Sequence, residues 1–347
     1  MSEPEKDRSA RGASLVIVTL NGREHLERCL PAVLAQTKPP DEVVVVANGS
    51  TDGTAAYLPA AFPTVRVLRS ETNLGFAAGV NLGIDSTTGE WIATLNNDTI
   101  PEPGWLAAML AAAEDAERRG ERVGMVAARM LRWDEPGVID SAGICLDRTG
   151  IAWDRLAGRP ANAPASADGP LLGPCAGAAL YRRALFADVG LFDEDFFLYL
   201  EDVDLALHAR LAGWTCADSA NARVRHRHSA TAGEDSPLKR FHLGRNKLWL
   251  LAKGYPAPLL YLYLPSILAY DVAALFGYLI APPNFATPLR SRLAALRGRL
   301  AGLLGIGRAL KKRREITRRR RIGGRAALAM LAPVAPPWSV YGRFKRG

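Results

Sequence analysis

The residues best suited to acid–base chemistry are Glu201, Asp202 and Asp204, which stand where a helical pattern begins, directly after the run Phe196-Phe197-Leu198-Tyr199-Leu200. A helix N-terminus attracts anions and explains part of this cluster. The aromatic run adds a second effect, because apolar walls raise a carboxyl pKa and make the group a better base towards a hydroxyl proton. Another carboxylate, Asp98, ends a strand pattern in Asn96-Asn97-Asp98-Thr99. It suits either a turn or a hard divalent cation, Mg2+ or Mn2+, that bridges phosphate oxygens. His226 and His228 share a strand face within Arg223-Val224-Arg225-His226-Arg227-His228-Ser229. Either imidazole can face Asp98 as a metal ligand, or join the arginines in a phosphate patch.

Two polar segments offer ligand contacts. Ala47-Asn48-Gly49-Ser50-Thr51-Asp52-Gly53-Thr54 follows a strand, at the carboxyl end where open α/β sheets take ligands; the same residue types also cap helices. In Asn73-Leu74-Gly75-Phe76-Ala77-Ala78-Gly79-Val80-Asn81-Leu82-Gly83 the three glycines recur every four residues and form one smooth helical stripe. Each glycine costs about 1 kcal/mol against alanine in a helix. Close approach of a ligand or of another backbone is the expected offset, with Asn73 and Asn81 able to hydrogen-bond that ligand.

The elements that must position these groups are legible as alternating patterns. Apolar, β-branched runs at 14–20, 42–47, 65–68 and 91–95 read as buried strands separated by helical segments, which gives a parallel α/β sheet. Asn21-Gly22 follows the first strand with no G-x-G-x-x-G, so a dinucleotide-binding unit is disfavoured. Residues 158–170 form a loop long enough to be functional or mobile. Beyond it come a helix over 201–211, a strand near 222–224 and a helix over 237–253.

Composition splits the chain in two. It has 347 residues, 48% of them hydrophobic, enough for a large core. The net charge of +9 is uneven: residues 287–347 hold 17 Lys or Arg and one acidic residue, Glu315, which leaves the body net acidic. Cys29, Cys145, Cys175 and Cys216 form no C-x-x-C pair, which argues against a structural zinc site or disulfide framework. The charged N-terminus lacks a secretory apolar core, and the body is expected in the cytoplasm. Residues 259–281 are apolar over a spanning length but interrupted by Pro265 and Asp271. With the basic run at 308–321 they fit interfacial or re-entrant helices on an anionic inner leaflet. No RNA-binding motif accompanies that run, so nucleic acid is not expected as a partner.

Taken in order, these residues resemble the inverting family 2 glycosyltransferases with the GT-A fold, in particular a rhamnosyltransferase-like bacterial branch. The resemblance runs from residue 14 to about 253. It implies a mostly parallel sheet flanked by helices in a GT-A domain over 14–253, after a flexible N-terminus at 1–13. A helical, membrane-associating C-terminal region over 254–347 would follow. Asn21, Asn48, Ser50, Asp52, Asn73, Gly75, Phe76, Asn81 and Asn97 match donor-binding segments of the family. Asp98 stands at its metal motif, and His226 where many members place a histidine ligand. Phe192-Asp193-Glu194, Tyr199 through Asp204 and Gly213-Trp214 are similar to its acceptor-side signature, with Asp202 as base beside Glu201. Arg245-Asn246 resembles a late pair near the diphosphate. Ala47 departs from the family, which usually has Asp there against the nucleotide base.

The resemblance implies transfer of a sugar, rhamnose among the candidates, from a nucleotide-diphospho-sugar to a hydroxyl of a glycan or lipid-linked acceptor. The transfer would proceed with inversion, at the cytoplasmic face of the membrane, in cell-wall or surface polysaccharide synthesis. A nucleotidyltransferase, or a catalytically weak GT-A-fold nucleotide-sugar binding protein, are the alternatives.

Overall fold

The computed structural model describes residues 12–227, 236–280 and 288–335. Most of the expected flexible N-terminus, and His228, lie outside the described residues. The chain opens with β1 (Ala13–Thr19), α1 (Arg23–Leu34), β2 (Glu42–Asn48), α2 (Thr54–Ala61), β3 (Val65–Ser70), α3 (Gly75–Asp85) and β4 (Trp91–Leu95). These four strands coincide with the apolar runs, and β1, β2 and β4 are almost wholly buried. Helices on both faces of the sheet explain why the runs are continuous rather than alternating.

The order continues with β5 (Thr99–Pro101), α4 (Trp105–Arg118), β6 (Val123–Arg132), β7 (Ile139–Ser141), β8 (Ile144–Leu146) and β9 (Ala152–Asp154). Then follow β10 (Ala178–Arg182), α5 (Arg183–Val189), α6 (Glu201–Leu211), β11 (Thr215–His226) and α7 (Pro237–Gly254). Among the described residues nine strands form one sheet in the order β3-β2-β1-β4-β10-β6-β11-β5, with β7 beside β6, while β8 and β9 make a separate hairpin. The first four strands pair in parallel. β10 is inserted antiparallel between β4 and β6, and β11 lies parallel to β6. The strand expected near 222–224 is therefore the end of a longer one, extended by its pairing along β6.

The glycine stripe of α3 faces the sheet. A Cβ at Gly79 would lie 2.8 Å from Val18 Cγ1, and one at Gly83 would lie 2.3 Å from Val16 Cγ1. The partner that offsets the glycine cost is thus β1, not a ligand. Asn81 is corrected with it: this buried side chain donates to Phe192 O (2.8 Å) and accepts from Phe192 N (3.1 Å), tying α3 to the turn before α6. The loop at 158–170 is pinned rather than loose, since the buried guanidiniums of Arg129 and Arg155 donate to Ala161, Ala163 and Ala165 carbonyls.

The last helices are α8 (Ala257–Ile280), α9 (Leu289–Leu304), α10 (Ile306–Arg319) and α11 (Gly324–Ala329). Trp249 Nε1 donates to Gly302 O (3.0 Å), and Arg313 donates to the carbonyls of Ala252 and Tyr255, so α9 and α10 rest on α7.

Candidate active site

Asp202 and the strand end that precedes Asp98 are linked by the short segment before β10. The Ala176 amide donates to Asp202 Oδ2 (3.1 Å), and the next residue, Gly177, accepts at its carbonyl from Asn96 N (2.9 Å), at the end of β4. A carboxylate from the first turn of α6 therefore stands beside the strand end that carries Asn96, Asn97 and Asp98. Burial pushes Asp202 up to about 6, opposed by the Ala176 and Val203 amides. Glu201 differs from it. Its side chain is buried, Oε2 has no hydrogen-bond partner among the described residues, and burial with the Asp202 and Asp204 charges raises its pKa well above the carboxylate range. Glu201 is the member of the pair whose surroundings favour the neutral form more strongly, and Asp202, half-buried, is the accessible one.

Asp98 meets His226, the last residue of β11. His226 Nε2 lies 3.5 Å from Asp98 Oδ1, and Nδ1 lies 2.6 Å from Asp140 Oδ2 on β7. Burial opposes the charged ring, yet the two carboxylates raise its pKa to about 10. In this state the ring is an imidazolium bridging both carboxylates; with the Nε2 proton lost, an imidazole anchored at Nδ1 by Asp140 would offer Nε2, beside Asp98, to a divalent cation. Among the described residues no group of three or more His, Cys, Asp or Glu could hold a metal ion. Asp98 and His226 are the described residues that would hold such an ion.

The cleft beside these groups begins at β1. Asn21, at φ 51°, accepts from Thr51 N (2.7 Å), and its own amide donates to Ser50 Oγ (3.0 Å), which joins the β1 and β2 loops. Asp52 accepts from Thr54 and from Arg23 N; these bonds outweigh burial and hold it below the usual carboxylate range. Asn21, Gly22, Arg23, Glu24, His25 and Asp52 line an open cavity of about 260 Å³. His25 also lines a smaller hollow with Arg28, Asn97, Asp98, Trp133 and Arg227. Asn97 donates to Thr19 Oγ1 (2.7 Å) and so fixes β4 to β1 at the cleft floor. Ala47 is buried, and β2 offers no carboxylate at that position.

Several expected site residues have other work. Asn48 is buried, donates to Gly75 O and accepts from Leu74 N, and Asn73 Oδ1 accepts from Gly75 N; both shape the turn into α3. Gly75, at φ 82°, and Phe76 support the Phe197 loop: Phe76 N donates to Phe197 O (2.7 Å), and a Cβ on Gly75 would meet Phe197 at 2.5 Å. Arg245 does not face the cleft residues, because its Nη2 donates to Asp195 O (2.9 Å) and Phe196 O (2.7 Å). Asp204 is buried against Lys253 Nζ (2.5 Å) and cannot meet an acceptor. Trp214 precedes β11, whose far end is His226, so it stands at the opposite end of that strand, where its Nε1 donates to Asp188 (2.9 Å). Tyr199 remains beside Glu201, with burial and that carboxylate raising its phenol pKa.

Sequence reasoning missed Asp140, Ala176 and the place of His25 and Arg28 on the cleft rim, where they join Arg227, one of the arginines expected in a phosphate patch. Asp140 lies in a region of irregular composition and carries no motif. Arg28 and His25 look like ordinary exposed positions of an amphipathic helix.

The chain belongs to glycosyl transferase family 2, whose profile matches residues 14–190, just over half of its length. Its mixed α/β architecture is that of the GT-A nucleotide-sugar transferases. It is 32% identical over 246 residues to an N-acetylglucosaminyl-diphospho-decaprenol L-rhamnosyltransferase of Mycobacterium tuberculosis, a match covering 64% of this chain and 78% of that one. In fold it is similar to TarS 1-349 of S. aureus (TM-score 0.53, 17% identity, covering 88% and 91% of the two chains). A mannosyltransferase of Pyrobaculum calidifontis, solved with GDP-Man and Mn2+, matches with TM-score 0.50 at 18% identity, over 88% and 85% of the chains.

Proposed function

We propose that this protein transfers rhamnose from a nucleotide-diphospho-sugar to a hydroxyl of a lipid-linked acceptor, with inversion, at the cytoplasmic face of the membrane during cell-wall or surface polysaccharide synthesis. The observation that carries the reading is the juxtaposition of Asp202 with the Asp98–His226 pair through Ala176 and Gly177. Asp202 takes the acceptor proton as the hydroxyl attacks the anomeric carbon from the face opposite the leaving nucleoside diphosphate. One displacement inverts the configuration. Asp98 and His226 would hold a Mg2+ or Mn2+ ion, which supplies charge neutralisation to the leaving diphosphate. Asn21, Ser50, Asp52 and Asn97 build the donor cleft, and its arginines offer further phosphate contacts. Tyr199 borders the acceptor side.

The rhamnosyltransferase relative supports the choice of sugar and acceptor. Membrane association is supported by α8, long and apolar enough over Ala257–Phe276 to cross a bilayer by length and composition, with 11% of that window buried. Asp271 is not bare on this helix: it pairs with Lys247 (3.1 Å) and Arg299 (3.4 Å), which holds α8 against the body and favours an interfacial placement.

The deciding experiment is a donor panel with dTDP-rhamnose first, offered to the full chain with N-acetylglucosaminyl-diphospho-polyprenol in detergent. Rhamnosyl transfer to that lipid is expected. Turnover with another nucleotide sugar alone would overturn the choice of rhamnose, and binding without turnover across the panel would favour a catalytically weak binding protein.

A further inference from the structure

Three of the five residues that lead into Glu201 and Asp202 hold a backbone conformation that their side chains oppose. Phe197, Tyr199 and Leu200 have φ values of 63°, 69° and 66°, the left-handed region that disfavours any residue with a Cβ. Leu200 is the N-cap of α6, so its conformation sets the direction in which Glu201 and Asp202 leave the loop. None of these positions is glycine, so something outside the loop must hold it.

That holding group is one side chain of α7. Asn246 is fully buried, and its Nδ2 donates to Phe196 O (3.0 Å), Leu198 O (2.9 Å) and Tyr199 O (2.7 Å). Its Oδ1 accepts from Arg245 Nε (2.9 Å), and Arg245 Nη2 in turn takes Asp195 O and Phe196 O. The one carbonyl between them, Phe197 O, accepts from Phe76 and Ala77 at the start of α3. Phe196 O also accepts from Leu198 N and Arg245, whereas Leu198 O and Tyr199 O take their donor from Asn246; desolvated carbonyls left without a donor are unfavourable, so the amide supports this shape of the loop. A buried amide amid the apolar packing of α7 needs its own partners in return. Packing alone would be served as well by leucine.

We propose that Asn246 is a positioning residue for glycosyl transfer: its amide locks the strained 196–200 loop and thereby orients the Asp202 carboxylate against the Ala176 amide. The proposal rests on the reading of Asp202 as the base. It replaces a contact with the donor diphosphate as the role of the Arg245-Asn246 pair.

The test compares full-length Asn246→Ala, Leu200→Gly, their double variant and Asp202→Asn, with dTDP-rhamnose as donor probe. Asn246→Ala should lower kcat about 100-fold with donor KM changed less than about 3-fold, the split expected when only transition-state alignment is lost. The acid limb of its kcat profile should move to lower pH, because a loosened loop lets water reach Asp202. Adding Leu200→Gly should recover about 10-fold in kcat, since glycine adopts the left-handed conformation unaided. A kcat within about 3-fold of the parent, or a loss with an unmoved acid limb and no recovery from glycine, would overturn the proposal. If Asn246→Ala fails to fold, Arg245→Met removes the outer half of the clamp and should shift kcat and pH limb in the same direction; no shift would overturn the proposal equally. An active Asp202→Asn enzyme sinks the base reading itself, whereas an inactive one beside a fully active Asn246→Ala overturns the positioning role alone.

Discussion

The amide of Ala176 donates to Asp202 Oδ2 at 3.1 Å, and this one bond ties the first turn of α6 to the segment that pairs with the end of β4. Asp202 is thereby raised to about 6 by burial without being driven fully neutral, because the amide favours its ionised form. A base must be deprotonated to accept a proton. Turnover should therefore be level above about pH 7 and fall as pH drops through 6, following the direction of the Asp202 shift. Asp202→Asn should remove transfer, by about 10³-fold or more, while nucleotide binding measured by calorimetry stays within a few-fold. Glu201→Gln, a change at a group whose burial favours the neutral form, should retain far more activity; equal losses in the two variants would put the base elsewhere.

Chelation and ligand removal test the other half of the site. EDTA should stop turnover and Mn2+ or Mg2+ should restore it. Asp98→Asn should raise the Mn2+ concentration needed for half-maximal rate and lower kcat/KM by about 100-fold, because the leaving diphosphate loses its neutralising charge. Asp140→Asn should have a smaller effect, about 10-fold, as loss of a group that orients a ligand does. Turnover indifferent to EDTA would remove the metal from the reaction.

The strands of the first half and the helices α6 and α7 were legible because burial on both sheet faces writes itself as unbroken apolar runs, and long helices as periodicity. Asp98, His226 and Asp202 were legible as residue types at element ends. What stayed hidden depends on long-range pairing. Nothing near Asp140 announces that β7 lies beside β6 and places it against His226. In the same way Asn81, Asn48 and Arg245 look like ligand-binding groups, but the fold turns them onto its own backbone. A polar side chain reads the same in sequence whether its partner is substrate or carbonyl.

The contact of α3 with β1 gives a stability prediction. A methyl at Gly83 would stand 2.3 Å from Val16 Cγ1, inside the packed core. Overpacking of this kind costs about 1–3 kcal/mol, more than the helix propensity gained by alanine. Gly83→Ala should lower Tm, and Val16→Ala in the same chain should recover part of the loss. A raised Tm for Gly83→Ala would mean that α3 does not close on β1.

A buried ion network links α6, α7 and α10. Lys253 Nζ lies 2.5 Å from both Asp193 and Asp204, and Lys312 of α10 also pairs with Asp193. Burial alone would raise Asp193, but Lys253 and Lys312 lower it to about 2. A carboxylate depressed in the folded state adds stability above its unfolded pKa near 3.8 and loses it as pH falls through 2. The contribution is roughly 2 kcal/mol. Denaturant melts between pH 5 and 2 should show this loss. Lys253→Met, which takes the lysine from buried Asp204 and leaves Asp193 with Lys312 alone, should destabilise by about 3–5 kcal/mol at neutral pH and flatten the acid dependence; an unchanged acid slope would assign it to other carboxylates.

The basic helix α10 has two faces. Inward, Lys312 pairs with Asp193 and Asp195, Arg313 caps the carbonyls of Ala252 and Tyr255, and Arg319 donates to Asp188 O. Outward, Lys311, Arg314 and Arg318 are exposed at helical spacing, close in sequence to exposed Leu300, Leu303, Leu304 and Leu310. Tyr261, Leu262, Leu268 and Phe276 are likewise exposed on α8. Part of the positive charge therefore holds the helix to the body and part is available to an anionic surface, at about 1 kcal/mol per basic residue near a membrane. Truncation after Lys253 would remove both at once and leave Trp249 without its Gly302 partner. Surface substitution separates them. Lys311→Glu, Arg314→Glu and Arg318→Glu together should weaken flotation with phosphatidylglycerol vesicles at low salt and leave Tm nearly unchanged, since none of the three is part of the inward network. Leu262→Gln with Leu268→Gln should weaken the salt-resistant part of binding. Flotation of the charge-reversed chain equal to the parent would assign membrane attachment to the apolar helices alone.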